Sequence, residues 1–237
     1  MDSQIQQSHV HPSDLHQGEA HHLETLALRE QFDTEAQQKD ASTLGMWVFL
    51  ITEVMFFGGM FLGYTLYRSN YADTWALASR SLNLPIGATN TCVLLFSSFT
   101  MAMAVRAGQL GKKKAVILFL ILTMLFGLAF LGIKGYEWTQ KFEEHHVPAL
   151  ANFHLEGTQL QGQAKLFFSF YFAMTGLHAL HMVVGVGIVL FIIFQTMRNK
   201  YSPKYYTPID IAGLYWHFVD VVWIFLFPLF YLIDRHP

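Results

Sequence analysis

Five ionisable side chains stand inside runs otherwise apolar enough to span a membrane: Glu53, His178, His181, His217 and Asp220. Charge inside hydrocarbon is costly, and groups kept there usually mark function. Glu53 sits in "FLITEVMFF", with Phe49, Leu50, Phe56 and Phe57 within one helical turn, and none of these can pair with it. Its carboxyl therefore has to reach another helix, water or a lipid headgroup, and it reads as an anchor whose partner lies off its own helix. His178 and His181 are three apart and share a helix face, which Gly185 continues while leaving room for a neighbour. His217 and Asp220 repeat the spacing, so Asp220 is placed to orient or neutralise His217, with Trp216 and Trp223 on the same segment.

Three chemistries compete for these groups. Ligation of haem or copper would need more imidazoles than three for an oxygen-reducing centre, cysteines for a two-centre copper site, or histidines several turns apart for a haem pair. The chain offers an i, i+3 pair and one cysteine, Cys92. A proton or ion pathway through the chain would use Glu53, the histidines and Asp220 as a relay, yet the second and third apolar runs place no ionisable group at mid-membrane. The third reading is structural: buried polar groups that satisfy one another, hold helices in register, and hold lipid or water against a partner. Outside the runs, the N-terminal segment carries His9, His11, His16, His21 and His22. A later loop carries Glu143, Glu144, His145, His146, His154 and Glu156. Neither has a helix-spaced ligand set such as HExxH, so both read as solvated, and no metal site or catalytic residue is assigned.

The elements that position these residues follow from the apolar blocks. Of the 237 residues only 14% are charged, against roughly a quarter in soluble domains. Five blocks, 44–66, 86–106, 115–134, 166–195 and 212–233, are each long enough to cross ~30 Å of hydrocarbon as a helix. Alternating barrel strands are absent from them. The fold class is an all-α integral membrane protein, a bundle of five transmembrane helices at 43–237 preceded by a polar, His- and Gln-rich tail at 1–42. Within the tail, 19–38 has the pattern of a short amphipathic helix. The first 40 residues lack a basic head followed by an apolar run, so no cleaved signal peptide is read.

A net charge of -2 gives no pointer to nucleic acid. The turns 106–114 and 198–204 hold four and three Lys or Arg, which puts them and the N-terminus on the cytoplasmic side and the C-terminus outside. Gly59 and Gly63 form a GxxxG spacing that admits a close helix. Pro228 is expected to bend the last helix, and no internal repeat of the kind seen in many transporters is present.

"YWHFVDVVWIFLF" at 215–227, "TGLHALHMVVG" at 175–185 and "FLITEVMFF" at 49–57 resemble three signature stretches of subunit III of the haem–copper oxidases. "KGYEW" at 134–138 is similar to the family's Q-x-x-E-Y stretch, with Glu137 as its acid, Trp138 for the usual Tyr and Lys134 for the usual Gln. The likeness covers nearly all of 43–237 in order, and matches the short, five-helix bacterial form. It implies a V-shaped bundle that carries no metal itself, holds phospholipid in its cleft, and packs beside catalytic subunit I in a complex with subunit II. There it would support proton delivery and prolong turnover, with haem and copper in the partner subunits and the whole in the bacterial inner membrane.

The resemblance also implies roles. Glu53 is the family's intramembrane acid; Glu137, His178, His181, Trp216, His217 and Asp220 are structural groups at lipid or subunit contacts. The wording around Glu53 and Asp220 is closer to the cytochrome c branch than to the quinol branch. A quinol oxidase or nitric-oxide-reductase-associated subunit III is the alternative within the class, and an independent membrane ion or proton carrier the alternative outside it.

Overall fold

The computed structural model describes residues 32–149, 153–198 and 206–233. All elements among the described residues are helices: α1 (Glu35–Asn70), α2 (Ala72–Arg80), α3 (Leu84–Gln109), α4 (Lys113–Glu143), α5 (Gln161–Met197) and α6 (Thr207–Tyr231). All but the nine-residue α2 are long and apolar enough to cross a membrane. The chain divides into two compact units, 1–45 and 46–237.

In the first unit the described residues open α1. Thr34 Oγ1 accepts from the Gln37 N–H at 3.2 Å, and the Gln37 side chain accepts from the Asp33 N–H at 2.8 Å. This T-x-x-Q cap starts the helix inside the stretch read as polar tail, so residues 35–42 are its first turns. The histidines of the tail and most of the amphipathic stretch lie outside the described residues.

In the second unit, side-chain caps and turns set where the helices end. Asn83 accepts from the Ile86 N–H at 3.3 Å to open α3. At its far end Gly111 takes φ +68°, and the N–H groups of Gly111 and Lys112 bond the carbonyls of Gly108 and Ala107 at 3.0 Å each. That double closure needs a left-handed residue, and it folds the basic 106–114 turn tightly. α4 runs nine residues past its apolar block, to Glu143, because polar residues buried by neighbouring helices continue it. The last carbonyls of α6 have no helical partner, so Tyr64 of α1 bonds the Leu229 carbonyl and Ser79 of α2 bonds the Phe230 carbonyl at 2.6 Å. Pro228 stands in that last turn, where its missing N–H removes the helical donor to the Ile224 carbonyl one turn back.

The core sits between α3, α4, α5 and α6. Trp216 of α6 is its centre: it is fully buried and donates from Nε1 to Ser97 Oγ at 3.1 Å. The indole fits because α4 and α5 offer glycines. A Cβ at Gly127 would lie 3.0 Å from the ring and one at Gly185 3.1 Å from it, so the room left by Gly185 is taken by Trp216.

α1 is the least buried span, 11% of its most apolar stretch against 50% for α6. Long side chains carry its contacts: Tyr64 packs edge-on to Phe230 at 5.0 Å, and Phe57 on Phe218 at 6.4 Å. Among the described residues the GxxxG spacing brings no helix close, since the Phe170 ring fills the space at Gly63 and nothing lies within 4 Å of a Cβ at Gly59.

Valine at Gly127 drives its side chain into Trp216, an overpacking that costs about 1–3 kcal/mol. The thermal midpoint of the detergent-solubilised protein should fall by several degrees for Gly127→Val. It should stay unchanged for Gly132→Val, where an added Cβ meets nothing within 4 Å. Equal midpoints for the two variants would contradict the placement of Trp216.

Candidate functional site

Glu53 finds its partner on α5. Its Oε2 lies 3.2 Å from Nε2 of His181. The other ring nitrogen, Nδ1, is 2.8 Å from the Leu177 carbonyl one turn back. A carbonyl only accepts, so Nδ1 carries a hydrogen, and Nε2 and Oε2 share one further proton whichever of them holds it. Phe57 packs on the imidazole at 5.5 Å, and Tyr215 Oη of α6 donates to the His181 carbonyl at 3.0 Å. The contact therefore links α1, α5 and α6. Both side chains keep some exposure, 19% for Glu53 and 15% for His181, so the shared proton lies at the edge of the bundle rather than in its core.

His178 serves a different neighbour, although it stands only three residues away. Three residues turn roughly 60° about a helix, enough to send His178 into the core. There it lies edge-on to Phe130 at 5.3 Å and tilted over Trp223 at 5.2 Å. Both of its ring nitrogens are buried without a hydrogen-bond partner.

Beyond Trp223 is a buried ionic cluster that joins α4, α5 and α6. Lys134 Nζ lies 2.9 Å from Glu137 Oε2 and 2.8 Å from each of the hydroxyls of Tyr171 and Tyr231. Tyr231 donates in turn to the other Glu137 oxygen. The ammonium also stands 4.5 Å from the Tyr171 ring centre and 5.2 Å from that of Trp223. Lys134 and Glu137 are almost wholly enclosed. Each ion is answered by three oxygens or two donors, the condition under which a buried pair is tolerated.

The expected His217–Asp220 pair is not formed. His217 turns to α3, where its Nδ1 lies 2.8 Å from Ser98 Oγ, and the same Ser98 hydroxyl is the polar neighbour of Asp220. Spacing on one helix put the two residues on one face, but a hydroxyl on the adjacent helix meets the imidazole better.

Outside the spans, Glu144 Oε2 contacts Lys141 Nζ and lies 3.0 Å from His146 Nδ1 without hydrogen-bond alignment. Burial, reinforced by the Lys141 ammonium, lowers the His146 pKa below the ordinary imidazole range against the pull of Glu144. The ring stacks on Phe168 at 5.1 Å. Gln161 holds the rest of the loop by bonding both backbone groups of Leu155 at 2.9 Å. Among the described residues no three His, Cys, Asp or Glu side chains converge on one point.

What the spans can do chemically is hold and share protons between helices: one between Glu53 and His181, others within the Lys134 cluster. Tyr171, Tyr231 and Ser98 complete these contacts. Sequence reasoning missed them because hydroxyl residues in apolar runs do not stand out. Lys134 lies i, i+3 from Glu137, and that spacing was the visible sign of the ionic cluster.

Comparison with known proteins places the chain in a wider setting. The family model described as "Cytochrome c oxidase subunit III" matches residues 31–234. A probable cytochrome c oxidase subunit 3 of Nocardia farcinica is 32% identical over 193 residues, covering 81% of this chain and 87% of that protein. A probable quinol oxidase subunit 3 of Staphylococcus aureus is 29% identical over 204 residues, and one of Staphylococcus haemolyticus 30% over 207. Each of these covers 85% of this chain and 93% of the relative.

Removing one member of a buried ion pair strands the other, at a cost of about 3–5 kcal/mol. Denaturant titration in mixed micelles should show that loss for Lys134→Met and recovery of most of it in Lys134→Met/Glu137→Leu. A Lys134→Met protein as stable as the parent would show that the cluster does not hold the three helices.

Proposed function

Because this chain belongs to the cytochrome c oxidase subunit III family, and so is a multi-pass subunit of a bacterial terminal oxidase in the inner membrane, we propose that its part in that complex is supporting rather than redox. Haem and copper lie in partner subunits. The chain packs beside the haem–copper catalytic subunit I, with subunit II in the same assembly. It holds phospholipid along the exposed side of α1 and supports proton uptake by its neighbour, with its N-terminus cytoplasmic and its C-terminus outside.

The observation that carries this reading is the Glu53–His181 contact. The one acid within the apolar stretch 44–66 of α1 is used to fasten a span that otherwise meets the bundle through aromatic side chains. An acid so engaged steadies a helix and leaves a proton-sharing group at the bundle edge; acyl chains fill the space along α1 that no side chain among the described residues occupies. Trp216 belongs to the packing core, and Glu137, His178, His217 and Asp220 are supporting polar groups of the same bundle. Cytochrome c is the favoured electron donor, on the wording of "FLITEVMFF" and "YWHFVDVVW". Quinol is the second reading, since relatives of nearly equal identity are named probable quinol oxidase subunits.

Purification through a tag on this chain, in mild detergent, tests the assignment. A haem-bearing larger subunit should co-purify, its reduced-minus-oxidised spectrum should be unchanged in Glu53→Gln, and the parent complex should oxidise reduced cytochrome c faster than quinol. Because glutamine can still donate to His181, that variant should assemble fully and differ only in faster inactivation during turnover. A colourless, monodisperse carrier, or loss of haem from assembled Glu53→Gln complex, would overturn the supporting role.

A further inference from the structure

The C-terminal end of α4 closes on a residue that is not glycine. His145 takes φ +58°, in the left-handed region that favours glycine. The turn gains a double closure from it: the His145 N–H bonds the Phe142 carbonyl at 3.3 Å, and the His146 N–H bonds the Lys141 carbonyl at 3.0 Å, the pattern of a helix end with a left-handed residue. Such strain persists where the surroundings hold it. Here the His146 ring does so, stacked on Phe168 of α5 at 5.1 Å. Phe168 is fully buried and packs edge-on to Tyr171 at 6.3 Å, and the Tyr171 hydroxyl belongs to the Lys134 cluster.

This seat suits an uncharged imidazole. From α4 the ring faces the Lys141 ammonium and the Glu144 carboxylate, from the loop before α5 it faces His154, and from α5 the ring of Phe168. Glu144 Oε2 lies 3.0 Å from His146 Nδ1 but also contacts Lys141 Nζ. Lys141 is itself buried and bonds the Ser81 carbonyl at 2.8 Å, so it is fixed in place. Once His146 takes a proton, one carboxylate stands between two cations, and the imidazole is the one that can leave for solvent. Burial and then Lys141 outweigh Glu144, holding the His146 pKa below its ordinary range. A base shifted that way adds stability that is full above the ordinary imidazole range and is lost as pH falls from there through the lowered value.

We propose that His146 is an acid-released latch on the end of α4. Uncharged, it rests on Phe168 and keeps the left-handed turn at His145 closed; on taking a proton from solvent it swings out, and the turn opens and bares Phe168 beside the Lys134 cluster. The latch does not depend on the oxidase assignment. On the topology proposed above, it responds to the external side.

Hydrogen exchange read by mass spectrometry on the whole tagged complex, with rates corrected for their intrinsic pH dependence, tests it. From about pH 7.5 to about pH 4.5, across and below the ordinary imidazole range, protection of residues 142–148 should fall by roughly tenfold or more. The turn at 108–113, closed by the same kind of bonds at Gly111 and Lys112, should keep its protection. His146→Phe retains the stack and cannot titrate, so it should stay protected throughout; His146→Gln lacks the ring and should be open at both pH values. An equal fall in His146→Phe, or a His146→Gln segment as protected as the parent at neutral pH, would overturn the latch. Should neither variant assemble, the parent decides: a one-proton fall confined to 142–148 supports the latch, and unchanged protection overturns it.

Discussion

In hydrocarbon a polar side chain has no solvent to answer it, and its partner must be another part of the protein. The arrangement of this bundle follows from that constraint. Glu53 reaches from α1 to His181 of α5, while Leu177 holds the other side of the imidazole and so sets which nitrogen faces the acid. Lys134 and Glu137 draw α4, α5 and α6 together through two tyrosine hydroxyls. The open carbonyls at the end of α6 take hydroxyls from α1 and α2. Each contact crosses between elements, so polar satisfaction and helix packing are one requirement.

Aromatic rings carry the rest. Trp216 fills the space that two glycines leave on α4 and α5 and still satisfies its N–H on α3. Trp223 stands between the Lys134 ammonium and His178 while bonding Thr91. These two residues of α6 thereby touch every other core helix, which explains why α6 is the most buried span. α1 meets the bundle through Phe57 and Tyr64 rather than through a tryptophan, and Glu53 adds the one acid of its apolar stretch to that contact.

The five spans were legible because apolar runs of the required length have few other uses. Their ends were less so. Thr34 starts α1 through a cap inside polar sequence, and Glu137 and Lys141 continue α4 beyond the apolar block that ends at Lys134. The acid of α1 was readable as needing a distant partner, since its helix offered none, but spacing alone does not say which helix supplies it. The same limit misplaced Asp220: an i, i+3 interval marks a shared face, and Ser98 of another helix then took His217. Hydroxyl partners such as Tyr171 and Tyr231 carry no signal until the helices are assembled around them.

The central claim is that Glu53 and His181 hold α1 through a proton they share. A double-mutant cycle of Glu53→Leu and His181→Leu, read as unfolding free energy in mixed micelles, tests it most directly. Leaving either partner buried and unanswered costs about 1–3 kcal/mol, and removing both together should recover most of that, a coupling of about 1–2 kcal/mol for residues in contact. Losses that add to within ~0.5 kcal/mol, as they do for independent sites, would contradict the account.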